Sequence, residues 1–148
     1  MTRWRPSPGI GVKVLGLVFR GDALLCVEVT NDDGAVKGVR PLGGGVEFGE
    51  TRAVALTREF NEELSTDIRI TGGWITLENI YRHEGQLGHE FDFAATVELT
   101  DSELYERERP TILDDKEIAV GWFRRQELQQ RGWTLYPDGL ADVIGDRW

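Results

Sequence analysis

The stretch LGGGVEFGETRAVALTREFNEELST, residues 42–66, joins three consecutive glycines to a segment rich in arginine and glutamate. Residues 50–64 fit an amphipathic helix, because apolar side chains recur there at steps of three and four and so form one stripe. Glu50 and Thr51 suit its first turn, where oxygen atoms satisfy free amides and negative charge suits the dipole. The helix is therefore expected to pack on the core through its apolar stripe, which consists of Ala53, Leu56, Phe60 and Leu64.

Three glutamates of the same helix, Glu59, Glu62 and Glu63, lie beside that stripe. Their spacing brings the carboxylates to one face, where like charges repel. A positive partner is expected among them, and a divalent cation is the simplest candidate, because carboxylate oxygens suit Mg²⁺ or Mn²⁺. Arg58 precedes Glu62 by four residues and is within reach for pairing. An acidic face by itself is usually only solvated, so the neighbouring residues must carry the argument for a metal site.

The chain has 148 residues, the size of one ordinary domain, and we expect a single domain over residues 1–148. No run approaches the ~18 to 20 consecutive apolar residues of a membrane helix, and the N-terminus lacks the apolar run of a secretory signal. The single Cys26 excludes an internal disulfide and indicates a reducing cytoplasm. Cys26 lies inside the apolar run 23–29, which favours a small core residue over a nucleophile.

The net charge is −9, from 17 Lys and Arg against 26 Asp and Glu. That balance argues against a protein that grips duplex nucleic acid through its phosphates. It is compatible with a small phosphorylated ligand, because a divalent ion held by acidic residues supplies the missing positive charge.

Strand-like segments surround the central helix. Segments 10–19 and 23–29 are predicted to form a hairpin across the turn 20–22. A short strand, 36–41, leads into the glycines, and residues 68–80 contain strand residues interrupted by Gly72 and Gly73. A long hairpin is expected from 78–82 and 89–99, with an acidic surface loop at 101–115 and a last strand at 116–123. Short helices are expected at 125–131 and 140–148, which makes the fold class α+β in one domain.

The spacing within the central stretch resembles a family signature. Gly44 is followed by five residues and Glu50, and then by seven residues and the run 58–63, Arg-Glu-Phe-Asn-Glu-Glu. This resembles the Nudix box, G-x5-E-x7-R-E-U-x-E-E-x-G-U, where U is a bulky aliphatic residue. Phe60 fills the first U position with an aromatic ring. The second glycine of the box is Ser65 here and the final aliphatic residue is Thr66; a residue with a Cβ at the helix exit costs a fraction of a kcal/mol to ~1 kcal/mol if it keeps left-handed angles.

The resemblance implies a Nudix-type α/β/α sandwich with a mixed β-sheet, in which the box forms a loop, a helix and a loop. It implies that Glu59, Glu62 and Glu63 bind Mg²⁺ or Mn²⁺, and that Gly43 or Gly44 offers a backbone carbonyl. By the same resemblance, Arg58 would buttress the loop or orient a glutamate, and Glu50 would be structural.

The general base varies within the family, and the resemblance leaves it open. Glu117, from a later loop, is our candidate; Asp114 and Asp115 are close rivals, and Glu63 is the alternative within the box. Candidate substrate contacts are Gly44, Arg40 just upstream of the box and the loop histidines His83 and His89. Trp122 and Phe123 are expected in the core or a pocket wall. Packing is also the expected role of Trp74, Trp133 and Tyr136, although their rings could stack on a base.

The function implied by the resemblance is metal-dependent hydrolysis of a pyrophosphate linkage in a nucleoside diphosphate joined to another moiety. The alternative is a Nudix-fold regulatory module that binds a nucleotide without cleaving it. A third reading, diphosphate isomerisation, needs additional cysteine and glutamate residues, and Cys26 lies in a predicted core strand. The expected partner is a small-molecule nucleoside diphosphate derivative, with no nucleic acid and no membrane. A homodimer is open, since Trp4 and Trp148 are large apolar groups that a partner could cover.

Overall fold

The computed structural model describes residues 3–113 and 118–148. Along these residues the chain forms nine strands, three α-helices and two short 3-10 helices. The strands are β1 (Ile10–Leu17), β2 (Phe19–Arg20), β3 (Ala23–Thr30), β4 (Val36–Gly45), β5 (Ile68–Ile70), β6 (Ile75–His83), β7 (Gln86–Leu99), β8 (Val120–Arg124) and β9 (Thr134–Leu135). The α-helices are α1 (Arg52–Leu64), α2 (Arg125–Arg131) and α3 (Leu140–Ile144), and the 3-10 helices are Ser102–Glu106 and Gly145–Arg147.

The strands form one mixed sheet in the order β2-β3-β4-β1-β7-β5. Strand β6 pairs with β7, β8 with β3, and β9 with β4. Strand β1 lies in the middle, antiparallel to β4 and parallel to β7. Strand β4 is long enough to pair with β3 through its first part and with β1 through its glycine end. The predicted strand 36–41 therefore continues through the glycines and ends at Gly45.

The predicted hairpin of residues 10–19 with 23–29 is wrong for its first strand. Only Phe19 and Arg20 pair with β3, whereas β1 pairs with β4 and β7. The glycines explain the choice of partner, because a Cβ added to Gly43 would lie 1.9 Å from the Val14 carbonyl oxygen. A strand without side chains at this point approaches β1 closely, and Gly43 has a φ of +155° that side-chain-bearing residues rarely adopt.

The predicted long hairpin is confirmed as β6 and β7, with a tighter turn than expected. His83 pairs with Gln86, so the turn consists of Glu84 and Gly85 alone. Both have positive φ, +51° and +79°, the geometry of a two-residue turn whose twist matches its strands. The interruption at Gly72 and Gly73 is also confirmed, since they separate β5 from β6.

Helices cover both faces of the sheet, which confirms the predicted α/β/α sandwich. Helix α1 packs on one face with a cluster that includes Val14 and Leu42. Helices α2 and α3 cover the other face, where Leu128 and Leu140 join a second cluster. The ring of Phe60 fits against Gly16, where an added Cβ would lie 2.5 Å from it. The predicted stripe is right at three of its four positions, and Ala55 replaces Ala53; the buried residues of α1 are Ala55, Leu56, Phe60 and Leu64.

The C-terminal third departs from the predictions in detail. The acidic loop contains the 3-10 helix Ser102–Glu106 and buries Leu104 and Ile112, so part of it belongs to the core. The last predicted strand is observed as Val120–Arg124, and its residues 116–117 lie outside the described residues. Helix α2 occupies the predicted range, β9 was not predicted, and the final helix ends early and continues as Gly145–Arg147.

Candidate active site

Helix α1 begins and ends with side-chain and backbone contacts that fix the box. The Thr51 hydroxyl accepts a hydrogen bond from Val54 N at 3.2 Å, which satisfies a free amide of the first turn. The helix ends at Ser65, whose φ of 52° and ψ of 43° are left-handed and whose N–H donates to Asn61 O. Ser65 therefore keeps the backbone geometry for which the box normally uses glycine.

Arg58 holds the two ends of the box together. Its Nε and Nη2 donate to the two oxygens of Glu50 at 2.7 and 2.8 Å, a two-pronged charge-assisted pair. Nη2 also donates to the Gly45 carbonyl at 2.9 Å, and Nη1 to Glu59 Oε1 at 3.0 Å. The guanidinium thus ties the helix to the end of β4.

Glu50 has a structural environment. The hydrogen bond from Arg58 lowers the pKa of Glu50 to about 2, and a backbone N–H from Glu47 acts in the same direction. Since both carboxylate oxygens are already bonded to donors, the geometry agrees with the expectation that Glu50 is not a metal ligand.

Glu59 packs directly on the glycines. A Cβ added to Gly44 would lie 2.3 Å from the carboxyl carbon of Glu59, whereas one added to Gly45 would meet nothing within 4 Å. Gly44 is needed here because the carboxylate occupies the space of its missing side chain. The glycine and the first glutamate of the triplet, fifteen positions apart, are thus brought into contact.

The repulsion expected among the glutamates is partly offset by the protein itself. Besides Glu50 and Glu59, the Arg58 guanidinium lies 3.4 Å from Glu62 and 3.9 Å from Glu47. Four carboxylates around one guanidinium leave a local charge of −3. Arg58 is therefore one positive partner of these carboxylates, and it neutralises only part of their charge.

The carboxylate oxygens of the box suit Mg²⁺ or Mn²⁺, because they are hard ligands and the group carries a net negative charge. Glu62 is half-exposed and its contacts with Arg58 are long, 3.4 and 3.5 Å, so it can turn towards an ion at little cost. In the described part of the chain, the ligand atoms of the box do not form a group of three within 4.8 Å of one another. Side-chain rotation would be needed to bring them together.

A comparison with family models identifies the family of this chain. The model described as NUDIX domain matches residues 9–142. The chain belongs to the Nudix family. The match extends far beyond the box, on which the sequence resemblance rested, and it confirms the predicted fold and the Nudix pyrophosphohydrolase class of enzyme. A comparison with curated proteins finds no match.

Solved structures with the Nudix fold resemble this chain at low sequence identity. The E. coli ORF135 protein superposes with a TM-score of 0.55 at 22% identity, covering 86% of this chain and 81% of that protein. A MutT NUDIX hydrolase from Burkholderia pseudomallei gives a TM-score of 0.58 at 17% identity, with 78% and 84% covered. A NUDIX hydrolase from Nitrosomonas europaea gives 0.53 at 22% identity, with 85% and 77% covered. At these identities the likeness concerns the fold.

Two predicted substrate residues do not join the Nudix box in this structure. His89 precedes Phe93 by four residues on β7, and Phe93 lies in the same strand row as Gly44, so the offset along the strand is roughly 13 Å. His89 contacts Glu78 at 3.2 Å instead. Arg40 precedes Gly44 by four residues on β4 and donates to the carbonyl of its neighbour Pro41. Strand geometry explains both distances from the box, because four residues extend much further along a strand than along a helix.

Gly43 and Glu63 take different positions at the box. Gly43 is buried in β4 opposite Leu15, so its backbone belongs to the sheet. The Glu63 carbonyl accepts a hydrogen bond from Leu113 N at 2.8 Å. Glu117, Asp114 and Asp115, the candidate bases, lie outside the described residues. Leu113 is the last described residue before them, and it touches the end of the Nudix helix.

A second set of possible ligands lies where the turn between β6 and β7 meets the turn between β3 and β4. The ligand atoms of Asp32, His83 and Glu84 lie within 4.8 Å of one another. However, Arg5 forms an ion pair with Asp32, and Lys37 Nζ lies 2.7 Å from His83 Nδ1. Burial, followed by the charges of Lys37 and Arg5, lowers the pKa of His83. The chain's own cations already neutralise this set, which disfavours a metal there.

Sequence reasoning missed a buried carboxyl group on β7. Asp92 is 2% exposed, and burial, followed by the charge of Glu90, raises its pKa to about 8. The signal was present in the alternation of segment 89–99, where Glu90 and Asp92 fall on the same face of a strand. In a sheet that is covered on both faces, that alternation places Asp92 at a buried position.

Several remaining predictions concern single residues. Cys26 is fully buried, which raises its thiol pKa and confirms its core role. Trp122 and Phe123 are buried as predicted. Trp148 is also buried and donates to Phe123 O, so it offers no apolar surface to a partner, whereas Trp4 is 53% exposed. None of the described helices is both long and apolar enough to cross a bilayer.

Proposed function

We propose that this protein hydrolyses the pyrophosphate linkage of a nucleoside diphosphate joined to another moiety, with Mg²⁺ or Mn²⁺. The observation that carries the proposal is the assembled box, in which Arg58 ties the helix to the glycine strand, and in which Glu59 and Glu62 belong to a group of four carboxylates and one guanidinium with a net charge of −3. A polyanionic substrate would be repelled by this charge alone, so a bound cation is needed for binding. The buried and unpaired Cys26 is compatible with the cytoplasmic location expected from the sequence.

Each box residue has a proposed role. Glu59, Glu62 and Glu63 would hold the ion, which neutralises phosphate charge and activates water for attack on phosphorus. Arg58 would position Glu59 through its 3.0 Å hydrogen bond, while Glu50 keeps the guanidinium in place. Gly44 would let the Glu59 carboxylate lie against the strand end. Gly43 or Gly44 would offer a carbonyl, as in the family.

The general base is assigned to one candidate with three alternatives. Glu117 is the candidate, with Asp114, Asp115 and Glu63 as alternatives. The hydrogen bond from Leu113 N to the Glu63 carbonyl supports this choice, because it attaches the chain just before residue 114 to the end of the box helix. Single amide variants at these four positions, compared at saturating metal, would separate the base from acidic neighbours that only add charge.

The test is a metal-dependent assay over nucleotide sugars, dinucleotides and nucleoside triphosphates, with analysis of the product fragments. Turnover of at least one compound with Mg²⁺ or Mn²⁺ is expected. The Glu62→Gln variant should lose several orders of magnitude in turnover while it keeps the wild-type fold, as followed by circular dichroism. Absence of turnover across the panel by folded, metal-bound protein would refute hydrolysis and leave nucleotide binding without cleavage, which a binding assay on the same panel would reveal.

A further inference from the structure

Strand β6 forms an open edge of the sheet. Within the described part of the chain it pairs with β7 alone, and its nine residues make it the longest strand with a single neighbour. An edge strand presents unpaired backbone N–H and C=O groups to which another strand can bind, and proteins commonly block it with proline, lysine or a bulge. Strand β6 contains neither proline nor lysine, and its register with β7 is continuous. These common means of blocking an edge are therefore absent from β6.

The turn between β6 and β7 shows which backbone groups point outward. His83 and Gln86 flank a two-residue turn, and in such a turn the flanking residues are hydrogen-bonded to each other. Hydrogen-bonded pairs alternate along an antiparallel ladder, so the odd-numbered residues of β6 direct their backbone groups to β7. Glu78, Ile80 and Arg82 direct theirs to the open edge, and their side chains are also exposed.

Apolar side chains are exposed beside this edge. Val14 lies in the cluster under α1, and every second residue before it on β1 faces the same way. Strand pairing continues this face across β7 to β6, where Ile80 lies in the same row as Ile10. Four large apolar residues of this face are exposed to between 40% and 63%, namely Ile10, Val12, Ile80 and Leu87. Apolar exposure concentrated at one place indicates a surface that a partner covers.

The charges of the edge identify a matching partner strand. Glu78 precedes Ile80 by two residues, and Arg82 follows it by two. In a second copy of β6 that pairs antiparallel about a two-fold axis at Ile80, Arg82 lies opposite Glu78 of the first copy, and the reverse pair forms by symmetry. Ile80 then lies opposite its own copy. All of these residues have outward backbone groups, so each opposed pair exchanges both backbone hydrogen bonds.

Other registers of the same two strands lack this match. An axis one residue later opposes Glu78 to Glu84, and an axis one residue earlier opposes Glu78 to Ile80. Axes two residues away oppose Glu78 or Arg82 to its own copy. Like charges directly opposite each other destabilise a strand pair. The edge of β6 is therefore self-complementary in the register centred on Ile80.

Both charged side chains are available for contacts between chains. Glu78 lies 3.2 Å from His89 Nε2, and Arg82 donates to the Gly85 carbonyl at 3.1 Å. Each is exposed, so these contacts within the chain hold the side chains only weakly.

We propose that this protein forms a two-fold symmetric dimer in which the β6 strands of two copies pair antiparallel about Ile80 and join the two sheets. The partner is a second copy because the strand matches itself in backbone groups, charge and apolar side chains. A contact made by residues 78–82 is smaller than the ~1,200 Å² of a standard interface, so we expect a reversible dimer with a Kd of about 1–100 µM. The Nudix box lies on β4, three strand spacings or roughly 14 Å from β6, and stays open in the dimer.

Charge reversal tests the proposed register. In Glu78→Arg both opposed pairs become two arginines, and in Arg82→Glu both become two glutamates, so each variant should have a Kd at least about ten-fold above wild type. An equal mixture of the two variants restores opposite charges in every pair and should form a heterodimer. The double variant Glu78→Arg/Arg82→Glu should dimerise like wild type. The measurement is sedimentation velocity of the full chain up to about 100 µM, where a Kd in the expected range is detected.

Two exposed positions away from the edge supply controls of equal charge change. Glu103→Arg and Arg69→Glu should keep the wild-type Kd. Wild-type protein that stays monomeric at the highest concentration would overturn the proposal and leave the edge to a strand of another protein. Single variants that dimerise like wild type, or a mixture that forms no heterodimer, would also overturn it.

Hydrogen exchange tests the backbone pairing itself. At concentrations above the Kd, the amides of Glu78, Ile80 and Arg82 should exchange at least about ten-fold more slowly in wild type than in Glu78→Arg. The odd-numbered amides of β6, which are bonded to β7, should be protected in both proteins. Dimerisation without this alternating pattern would refute the strand pairing. Neither measurement uses turnover, so the outcome is independent of the proposed hydrolysis.

Discussion

The contact between Gly44 and Glu59 gives the sharpest test of the site. In Gly44→Ala, the new Cβ would lie 2.3 Å from the Glu59 carboxyl carbon, and ordinary contact begins at 3.4 Å. The carboxylate must therefore retreat by about 1.1 Å, the difference of these distances. Metal ligands tolerate only about 0.2 Å, so we expect the affinity for Mn²⁺ to fall by roughly 10- to 100-fold. Gly45→Ala is the matched control, since its Cβ meets nothing within 4 Å.

Both variants add one methyl group to the same strand, and neither glycine has a positive φ. Any general cost of alanine in β4 is therefore shared, and only the displacement of Glu59 differs. Mn²⁺ binding is measured by calorimetry or electron paramagnetic resonance, with thermal unfolding of the apo protein as the check on folding. If Gly44→Ala and Gly45→Ala bind Mn²⁺ with affinities within about two-fold of each other, Glu59 is not positioned by Gly44 for metal binding.

Three further predictions follow from individual residues. Ser65→Gly should raise the free energy of unfolding by about 0.5–1 kcal/mol and the Tm by ~2–4 °C, because Ser65 has left-handed angles; Ser65→Ala should give no gain, and equal shifts would contradict this. Arg58→Lys should raise the pKa of Glu50 from about 2 towards its usual range in a ¹³C titration, since lysine cannot form the two-pronged pair; an unchanged pKa would assign the effect elsewhere. Unfolded Asp92 ionises near pH 3.8 and folded Asp92 near pH 8, so wild-type stability relative to Asp92→Asn should fall as pH rises between these values, by at most about 1.4 kcal/mol per unit in urea titrations; a pH-independent difference would refute the raised pKa.

The central helix could be predicted because its signals are local. The apolar steps, the capping threonine and the acidic triplet all lie within one short stretch, and the structure places them on Arg52–Leu64. The pairing of Arg58 with Glu62 was likewise readable from a spacing of four residues. Its stronger pair with Glu50 was not, because that contact depends on how the chain turns before the helix.

Strand partners and distances along strands could not be predicted in this way. Period-two patterns identify a strand but do not name its neighbour, so β1 was assigned to the wrong partner. Only the strand register shows that His89 and Arg40 lie away from the box. The buried state of Asp92 also depends on distant chain segments, since helices near the C-terminus cover that face of the sheet.

The three glycines at the end of β4 have a consequence for folding. Three identical residues without side chains make neighbouring registers against β1 sterically similar, so the glycines alone do not select one alignment. A slip by one residue would turn Leu42, which is 1% exposed, out of the core, and would take the Gly45 carbonyl away from Arg58. Arg58 and Leu42 thus favour one register of the strand, so the alignment of the sheet and the assembly of the box depend on the same contacts.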